Sequence, residues 1–469
     1  MFTGLKPYPE YENRGPSRLS HVPSPWSVRR LKHIVRNVVE QSDTRRSGDT
    51  YIALEHVESW TGRVRIDDSA TFEGLIKNFS TDDVLFGKLR PYLAKVVRVD
   101  FDGVCSGEFF VLRRVGDAVA SDFLELVMRS AQVINEISSS TFGARMPRAE
   151  WAFVGGVLLA LPSQAEQEAI VKFLGHANAR IDRAIASKRK MLSLLDEQKG
   201  AVVQEAVTAG LDATVDRHSS SSNWFPSLPA GWEMTTLGRL VVSAIDGPHF
   251  SPEYLDDGVP FLSARNVKEG HWDFSDVKYV SPEDFELFSK RVKPELGDVL
   301  YTKGGTTGVA RVVDLTFPFQ IWVHVAVLKP HKKLVTPDYL AMTLNSPRCY
   351  EQSQLYTRGA TNQDLGLSRM KRIELPLPPS LNEQGRVVQH VRHQVDTLLT
   401  AATRVVREIE LLREFRTRLT SDAVTGQLDV CEAAAKLPDL DLTELATVDI
   451  DDSDDIDAVA EEFLDEDEP

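Results

Sequence analysis

One stretch of this chain occurs twice, and its length limits what the chain can fold into. The first copy opens Leu161-Pro162-Ser163-Gln164-Ala165-Glu166-Gln167 and closes Glu205-Ala206-Val207-Thr208-Ala209-Gly210-Leu211-Asp212. The second opens Leu377-Pro378-Pro379-Ser380-Leu381-Asn382-Glu383-Gln384 and closes Asp422-Ala423-Val424-Thr425-Gly426-Gln427-Leu428-Asp429. Glu166 and Glu383, like Val207 and Val424, lie 217 residues apart, so the repeat is an internal duplication. Apolar residues at Ile170, Leu174, Ala177, Ile181, Ala184, Leu192, Leu195, Val202 and Ala206 step by threes and fours, broken only by Lys188. The second copy carries Val387, Val391, Val395, Leu398, Ala402, Val405, Ile409, Leu412, Leu419 and Ala423, broken by Arg416. Prolines sit just before each helix and Gly210 or Gly426 just past its end, as helix boundaries prefer. Each copy therefore predicts one helix of roughly 60 Å. A single narrow stripe on so long a rod needs a second helix to cover it. The other copy supplies one, in an antiparallel coiled coil.

Charge is distributed unevenly. Of the formal net charge of −15, all resides in residues 430–469, which hold 16 acidic side chains and one lysine; residues 1–429 are balanced. The tail is too charged to fold alone and is expected to be disordered. No apolar run reaches membrane-spanning length, and Met1-Phe2-Thr3-Gly4-Leu5-Lys6 lacks a signal-peptide core. Cys105, Cys349 and Cys431 show no metal spacing. The expected compartment is a reduced cytoplasm.

Each rod follows a globular segment. Trp26 with Leu31 opens the first and Trp232 with Leu237 the second, 206 residues apart. Strands are expected at Tyr51–Val57 and Pro260–Val267, then at Asp83-Val84-Leu85-Phe86-Gly87-Lys88 and Asp298-Val299-Leu300-Tyr301-Thr302-Lys303, each with an aspartate closing a turn and a lysine at the strand exit. The loops that follow differ: Leu89-Arg90-Pro91-Tyr92-Leu93-Ala94-Lys95 against Gly304-Gly305-Thr306-Thr307-Gly308. Helices are expected at Phe123–Ser138 and Pro337–Glu351, and closing strands at Val154–Leu161 and Ile373–Leu377. The organisation is thus a first recognition domain over 1–163, a long helix over 164–210, a linker over 211–225, a second domain over 226–380, a second long helix over 381–428 and an acidic tail over 429–469. Residues 1–25 read as an extended arm. The fold class is α+β: two mixed α/β domains separated by two long antiparallel helices, with a pseudo-two-fold internal repeat.

Catalytic signatures are absent. The glycine-rich loop has its lysine before the glycines, so it fails the phosphate-loop pattern, and no His-Glu-x-x-His pair or metal cluster occurs. Glu197-Gln198-Lys199 has the composition of a nuclease carboxylate–lysine pair but is expected on a solvated helix face. Binding chemistry is better represented. DNA readers contact phosphates with Lys, Arg and backbone amides, and bases with Arg, Asn, Gln and Thr. The loops offer Lys88, Arg90, Lys95, Arg145 and Arg148 in the first domain, and Lys303, Thr306, Thr307, Arg358, Asn362 and Gln363 in the second. A neutral body is unlike an unaided DNA binder, so partners are expected to supply phosphate affinity.

Two variable domains, each followed by a helix opening Leu-Pro…Glu-Gln and closing Ala-Val-Thr…Gly, resemble the specificity subunit of type I restriction–modification enzymes. The resemblance covers about residues 5–430, including Leu5-Lys6-Pro7-Tyr8-Pro9-Glu10-Tyr11, Leu85–Tyr92 and Gly304–Gly308. It implies two target-recognition domains reading one half each of an asymmetric bipartite DNA site, with the helices as spacer and docking platform. It implies a non-catalytic chain without cofactor or metal of its own. Two adenine methyltransferase subunits and the restriction (helicase–nuclease) subunits would bring S-adenosylmethionine, ATP and magnesium. The outward rod residues Arg180, Arg183, Lys188, Arg189, Lys190, Arg404, Arg407 and Arg413 are expected to flank the docking face. The acidic tail lies outside the family pattern. Two other readings stay open: a coiled-coil scaffold, which leaves no sequence-dependent footprint on DNA, and a stand-alone nuclease, which cuts DNA with magnesium.

Overall fold

The structure, a computed structural model, describes residues 5–15, 19–42, 50–66, 75–141, 146–212, 214–359 and 363–439. The described residues divide into two units, 5–187 with 408–439 and Lys188–Arg407. Both boundaries fall inside long helices, Gln164–Ala209 and Leu381–Val424. Each unit therefore contains part of both helices, and neither helix stands as a domain of its own.

In unit 1, Ile170, Leu174 and Ala177 share a core with Leu419, Ala423 and Val424. Further along, Asp182 pairs with Arg416. Numbers rise on one helix as they fall on the other, so the pair is antiparallel. In unit 2, Val203, Ala206 and Val207 share a core with Val387, Val388 and Val391, again the end of one helix with the start of the other. Val203 rather than Val202 is buried there. The stripe break at Arg416 proves to be an ion pair: Asp182, 7% exposed, is also bound by Arg63.

Unit 1 has a four-stranded antiparallel sheet in the order Val35–Val38, Phe109–Arg114, Val84–Gly87, Val96–Arg98. Unit 2 repeats it as Val241–Asp246, Val325–Pro330, Val299–Thr302, Ala310–Val312. The apolar runs Val84-Leu85-Phe86 and Val299-Leu300-Tyr301 are buried on both faces. Val84 and Phe86 enter the core shared with the helices, whereas Leu85 enters a second core; Val299, Tyr301 and Leu300 divide the same way. This explains continuous apolar runs where alternation would mark a half-exposed strand. Asp83 and Asp298 close their turns by accepting from Ser80 N (2.8 Å) and Glu295 N (2.9 Å). The second sheets keep one parallel pair each, Tyr51–Ile52 with Gly103–Ser106 and Val259–Leu262 with Gln320–Ile321, but differ at their edges.

Several boundaries depart from expectation. The strand expected at Tyr51–Val57 is only Tyr51–Ile52 before a turn. The helix expected at Phe123–Ser138 is two, Ser121–Met128 and Ala131–Ser139, with extended Ser130 between them. Its counterpart breaks into Pro337–Leu344 and Pro347–Tyr356, because Pro347 cannot continue a helix interior. Residues 154–161 are not one strand: a short helix, Trp151–Val154, precedes the strand Leu158–Leu161. The tail begins later than residue 429. Cys431–Ala435 is a helix, and Val430, Ala433 and Ala434 join the unit 1 core, since this alanine-rich stretch precedes the dense acidic run. The rest of the expected disordered tail, from residue 440, lies outside the described residues.

The arm and the linker prove to be counterparts. Tyr11–Glu12 pairs with Val22–Pro23, and Arg217–Ser219 with Ser227–Pro229. Tyr11 and Arg217 lie 206 residues apart, the offset of Trp26 and Trp232. Gly426 (φ 76°) ends the second helix where a Cβ would come within 2.5 Å of Pro23; Gly210 (φ 69°) ends the first against Trp232 at 3.3 Å. In unit 1 an isolated bridge joins Lys6 to Asp429. The end of the second helix thus meets the arm as the end of the first runs into the linker.

Candidate nucleic-acid interface

The repeated Glu-Gln at each helix start ties the rod to its domain. Glu166 accepts from the Trp26 indole (3.0 Å), and Glu383 from the Trp232 indole (2.9 Å). Gln167 accepts from Ala120 N (2.8 Å) and donates to Ala118 O (3.1 Å) and Pro162 O (3.0 Å). Gln384 accepts from Thr336 N (2.9 Å) and donates to Leu334 O (2.8 Å). Both glutamines have 0% exposure, so their amides are matched donor for acceptor, as burial requires. The strands Ser27–Arg30 and Glu233–Thr236, which follow the tryptophans, pair with the closing strands Leu158–Leu161 and Glu374–Leu377. Helix start, closing strand and opening strand are thereby fixed together in each unit.

Above this frame, the strand-exit lysines sit in matching backbone settings. Lys88 N donates to Glu108 O and Lys303 N to His324 O, both at 2.8 Å. Lys88 O accepts from Ala149 N (2.9 Å) and Lys303 O from Leu365 N (2.7 Å). Isolated bridges follow, Leu89 with Arg148 and Gly304 with Asp364. Both ammonium groups donate to a carbonyl, Gly107 O or Val323 O. The surroundings then diverge. Lys303, 4% exposed, pairs with Asp364 (2.6 Å) and Asp246 (3.5 Å). It is thereby taken off the surface on which it was expected. Lys88 is half-buried beside Lys77, and its counterpart of Asp364 is Arg148. Burial, and then Lys77, pull its ammonium down to about 8.

In unit 1 the loop after Lys88 carries two non-glycine residues at positive φ, Arg90 (49°) and Ala94 (47°), around the turn Pro91–Leu93. Such backbone costs about 1–3 kcal/mol per residue and persists only when surroundings enforce it. Here Arg90 N donates to Pro147 O (2.8 Å). Arg90 is exposed and Tyr92 half-exposed at its tip. Lys95 donates to Leu54 O (2.7 Å), and burial lowers its pKa. Arg148 is exposed and pairs with Glu108. Arg145 lies outside the described residues.

Unit 2 replaces this projecting loop with a cleft of about 760 Å³. Gly304, Gly305, Thr306 and Gln363 line one side; Tyr254, Phe261, Trp322 and His324 supply aromatic surface; Arg265, Asn266 and Lys278 add polar groups. Gly304 is required by packing, since a Cβ there would lie 2.1 Å from His324 Nδ1. Burial, and then Lys303, lower the pKa of His324, which favours its neutral form. Thr306 and Gln363 are exposed, whereas Thr307 is buried and its carbonyl accepts from Gln354 (2.9 Å). Arg358 is exposed and donates to Leu355 O (3.0 Å). Asn362 lies outside the described residues.

Residues 229–408 match the family model for the type I restriction modification DNA specificity domain. The chain is 24% identical over 305 residues to the EcoBI specificity subunit of Escherichia coli, covering 61% of this chain and 64% of that protein. It is 24% identical over 336 residues to the EcoKI specificity subunit of E. coli strain K12, covering 68% and 70%. The match thus spans slightly less than two thirds of the length of the first of these relatives. The chain is therefore similar to type I restriction specificity subunits, and its residues 229–408 to their DNA specificity domain. Its fold matches a chain from a solved type I R-M system with a TM-score of 0.58 and 21% identity, over 86% of this chain and 98% of the other.

Some residues of the site were not visible as such in the sequence. Lys77, Arg265, Lys278, Trp322 and His324 come from strands and turns distant from the framed loops. Lys77 alone left a signal, a lysine inside the strand Ile76–Phe79. Lys199 is not on a solvated face: its side chain is 12% exposed and pairs with Glu269 (3.1 Å). Arg189, expected on the outer flank, is buried. No group of three or more potential metal ligands occurs among the described residues, and no helix there is long and apolar enough to cross a membrane.

Proposed function

We propose that this chain is the DNA sequence-specificity subunit of a type I restriction–modification complex and is not itself catalytic. Unit 1 reads one half of a bipartite site through the Lys88–Lys95 and Met146–Arg148 loops. Unit 2 reads the other through the Gly304–Thr306 cleft, Arg358 and Gln363. The long antiparallel helices act as spacer and docking platform. The observation that carries this reading is the doubled Trp–Glu and Gln latch under two loops of unlike chemistry. A shared frame with divergent tips suits a protein that must present two different ligand surfaces. Methylation of adenine N6, with S-adenosylmethionine, and ATP- and magnesium-dependent restriction belong in this reading to two methyltransferase subunits and to restriction subunits, in the cytoplasm.

Replacing residues 226–376 with the equivalent domain of another family member should change one half of the recognised sequence and leave the other. Methylome sequencing of cells carrying the chimera with its partner subunits reads both halves. A change in both halves, or in neither, overturns the modular reading. Shortening both helices by whole turns should alter the tolerated spacer while keeping each half-site.

A further inference from the structure

The two strand-exit lysines occupy equivalent backbone positions, yet opposite charges face them. In unit 2 the residue bridged to the loop beside Lys303 is Asp364, and Lys303 Nζ lies 2.6 Å from its carboxylate. In unit 1 that position is Arg148. Asp246 adds a second carboxylate to Lys303 at 3.5 Å. The bulge at Val242 shifts the register by one, so its counterpart in the unit 1 sheet is Val39, which is exposed and carries no charge. Lys88 instead has Lys77 beside it, and Lys77 is 2% exposed with its ammonium on Phe109 O (2.9 Å). An ammonium has three donors, and each of these lysines donates to one carbonyl among the described residues. Glu108 is the carboxylate nearby, and it is bound to Arg148. Cys105, also beside the lysines, has its thiol pushed up to about 12 by burial and carries no charge to offset them.

We propose that Lys88, Lys77 and Arg148 form a seat for one oxyanion, a backbone phosphate of the DNA bound by unit 1. The equivalent place in unit 2 is closed to an anion by its own carboxylates. A buried pair of like charges is costly unless a counter-charge joins it, and a phosphate oxygen satisfies both the charge and the spare donors. The seat rests on the DNA-reading proposal above and adds to it an inequality. Unit 1 holds the backbone at this point, whereas Lys303 is a positioning residue that ties the bridged Gly304 and Asp364 segments beside the cleft. The lowered pKa of Lys88 is what an ammonium in a desolvated site awaiting an anion would show.

The test is the salt dependence of duplex binding by the full chain, with any partner subunits that binding requires. Neutralising one phosphate contact removes about 0.9 from the slope of log affinity against log salt. Between 50 and 200 mM salt, Lys88→Met should therefore lose about 3.5-fold less affinity than the unaltered chain. Arg148→Met should behave similarly, and Lys436→Met, outside the site, should keep the full slope. A second arm compares melting temperature in inorganic phosphate and in chloride at equal ionic strength. A phosphate-specific rise that Lys88→Met abolishes shows that free phosphate enters the same seat. That rise with an unchanged slope overturns the DNA assignment; an unchanged slope with no rise overturns the seat altogether. Failure of every form to bind DNA counts against the DNA-reading proposal, and the phosphate arm then decides the seat alone. Urea midpoints exclude loss of folding as the cause.

Discussion

Units 1 and 2 share their backbone and disagree in their electrostatics. The same four-stranded sheet, indole–carboxylate latch and buried glutamine recur, and the lysine N–H and C=O have equivalent partners in both. On that common scaffold unit 1 raises a strained, arginine-tipped turn and unit 2 opens a cleft with aromatic surface. Backbone hydrogen bonds are obligatory for buried strands, so a duplicated fold keeps them. Loop side chains carry no such obligation and can diverge in charge as well as size. Equivalent position therefore does not give equivalent role, and Lys88 and Lys303 are the sharpest case.

The largest expected effect attacks what the units share. Trp26→Ala and Trp232→Ala should each cost about 3–5 kcal/mol, the usual range for emptying a buried aromatic site. Trp26 and Trp232 are 1% and 2% exposed. Trp→Phe at either position keeps most of the packing but removes the indole donor, for about 1–3 kcal/mol at Glu383 and less at Glu166, which still accepts from the Tyr8 hydroxyl (2.6 Å). Urea unfolding of the two alanine variants should show matched losses. A large loss at one tryptophan and none at the other would break the claim of a common frame.

Next comes the same substitution at the two lysines. Lys303→Met removes a buried cation from two carboxylates and should destabilise the chain by about 2–4 kcal/mol, since an ion left unpaired inside is costly. Lys88→Met takes a cation away from Lys77 and should change stability by less than about 1 kcal/mol. Chemical denaturation of both variants checks the sign and the ratio. Equal losses would mean that the two lysines do the same structural job.

The frame was legible in the sequence because its signals are long or doubled. Helices of 46 and 44 residues carry enough stripe to declare their length and their need of a partner. Short elements were less legible. Helix breaks at Ser130 and Ser346 depend on single residues inside otherwise helical runs. The folding of Val430–Ala434 was hidden behind the acidity of the neighbouring tail. Of the candidate site, the loops could be located but their side chains could not be aimed. Nothing in Leu300-Tyr301-Thr302-Lys303 announces that Asp246 and Asp364 will enclose the lysine, because both carboxylates arrive from distant sequence. Lys77 and Trp322 joined the site for the same reason.

Acid should also distinguish the units. Burial raises the carboxyl pKa of Asp246, but the Arg291 hydrogen bond, Lys303, and His249 outweigh it and hold the group below the ordinary aspartate range. A depressed folded pKa contributes stability above the unfolded value, about 3.9, and that contribution is lost as pH falls through the folded value. Asp246→Asn should therefore lower the melting temperature at pH 6, with the gap to the unaltered chain narrowing towards pH 3. Glu40→Gln, at the exposed carboxylate next to the equivalent position in unit 1, Val39, should show little gap at either pH.

The smallest expected effect on stability bears most directly on the inequality between the units. Glu108 and Arg148 form an exposed pair, with side chains 32% and 57% exposed. Pairs this open contribute roughly 0–1 kcal/mol, so Glu108→Gln should leave unfolding almost unchanged. Its effect on DNA should be larger than its effect on folding. Glu108 competes with a phosphate for Arg148 and is the nearby carboxylate that raises the pKa of Lys88. Removing its charge frees the arginine and leaves the cations of unit 1 less compensated. Duplex affinity should rise about 2–5-fold at low salt, and the salt slope should steepen by up to about 0.9, one phosphate's share. Binding titrations over a salt series measure both quantities. If affinity falls, Glu108 takes part in reading rather than restraining it, and unit 1 then resembles unit 2 in keeping a carboxylate at its lysine for structure.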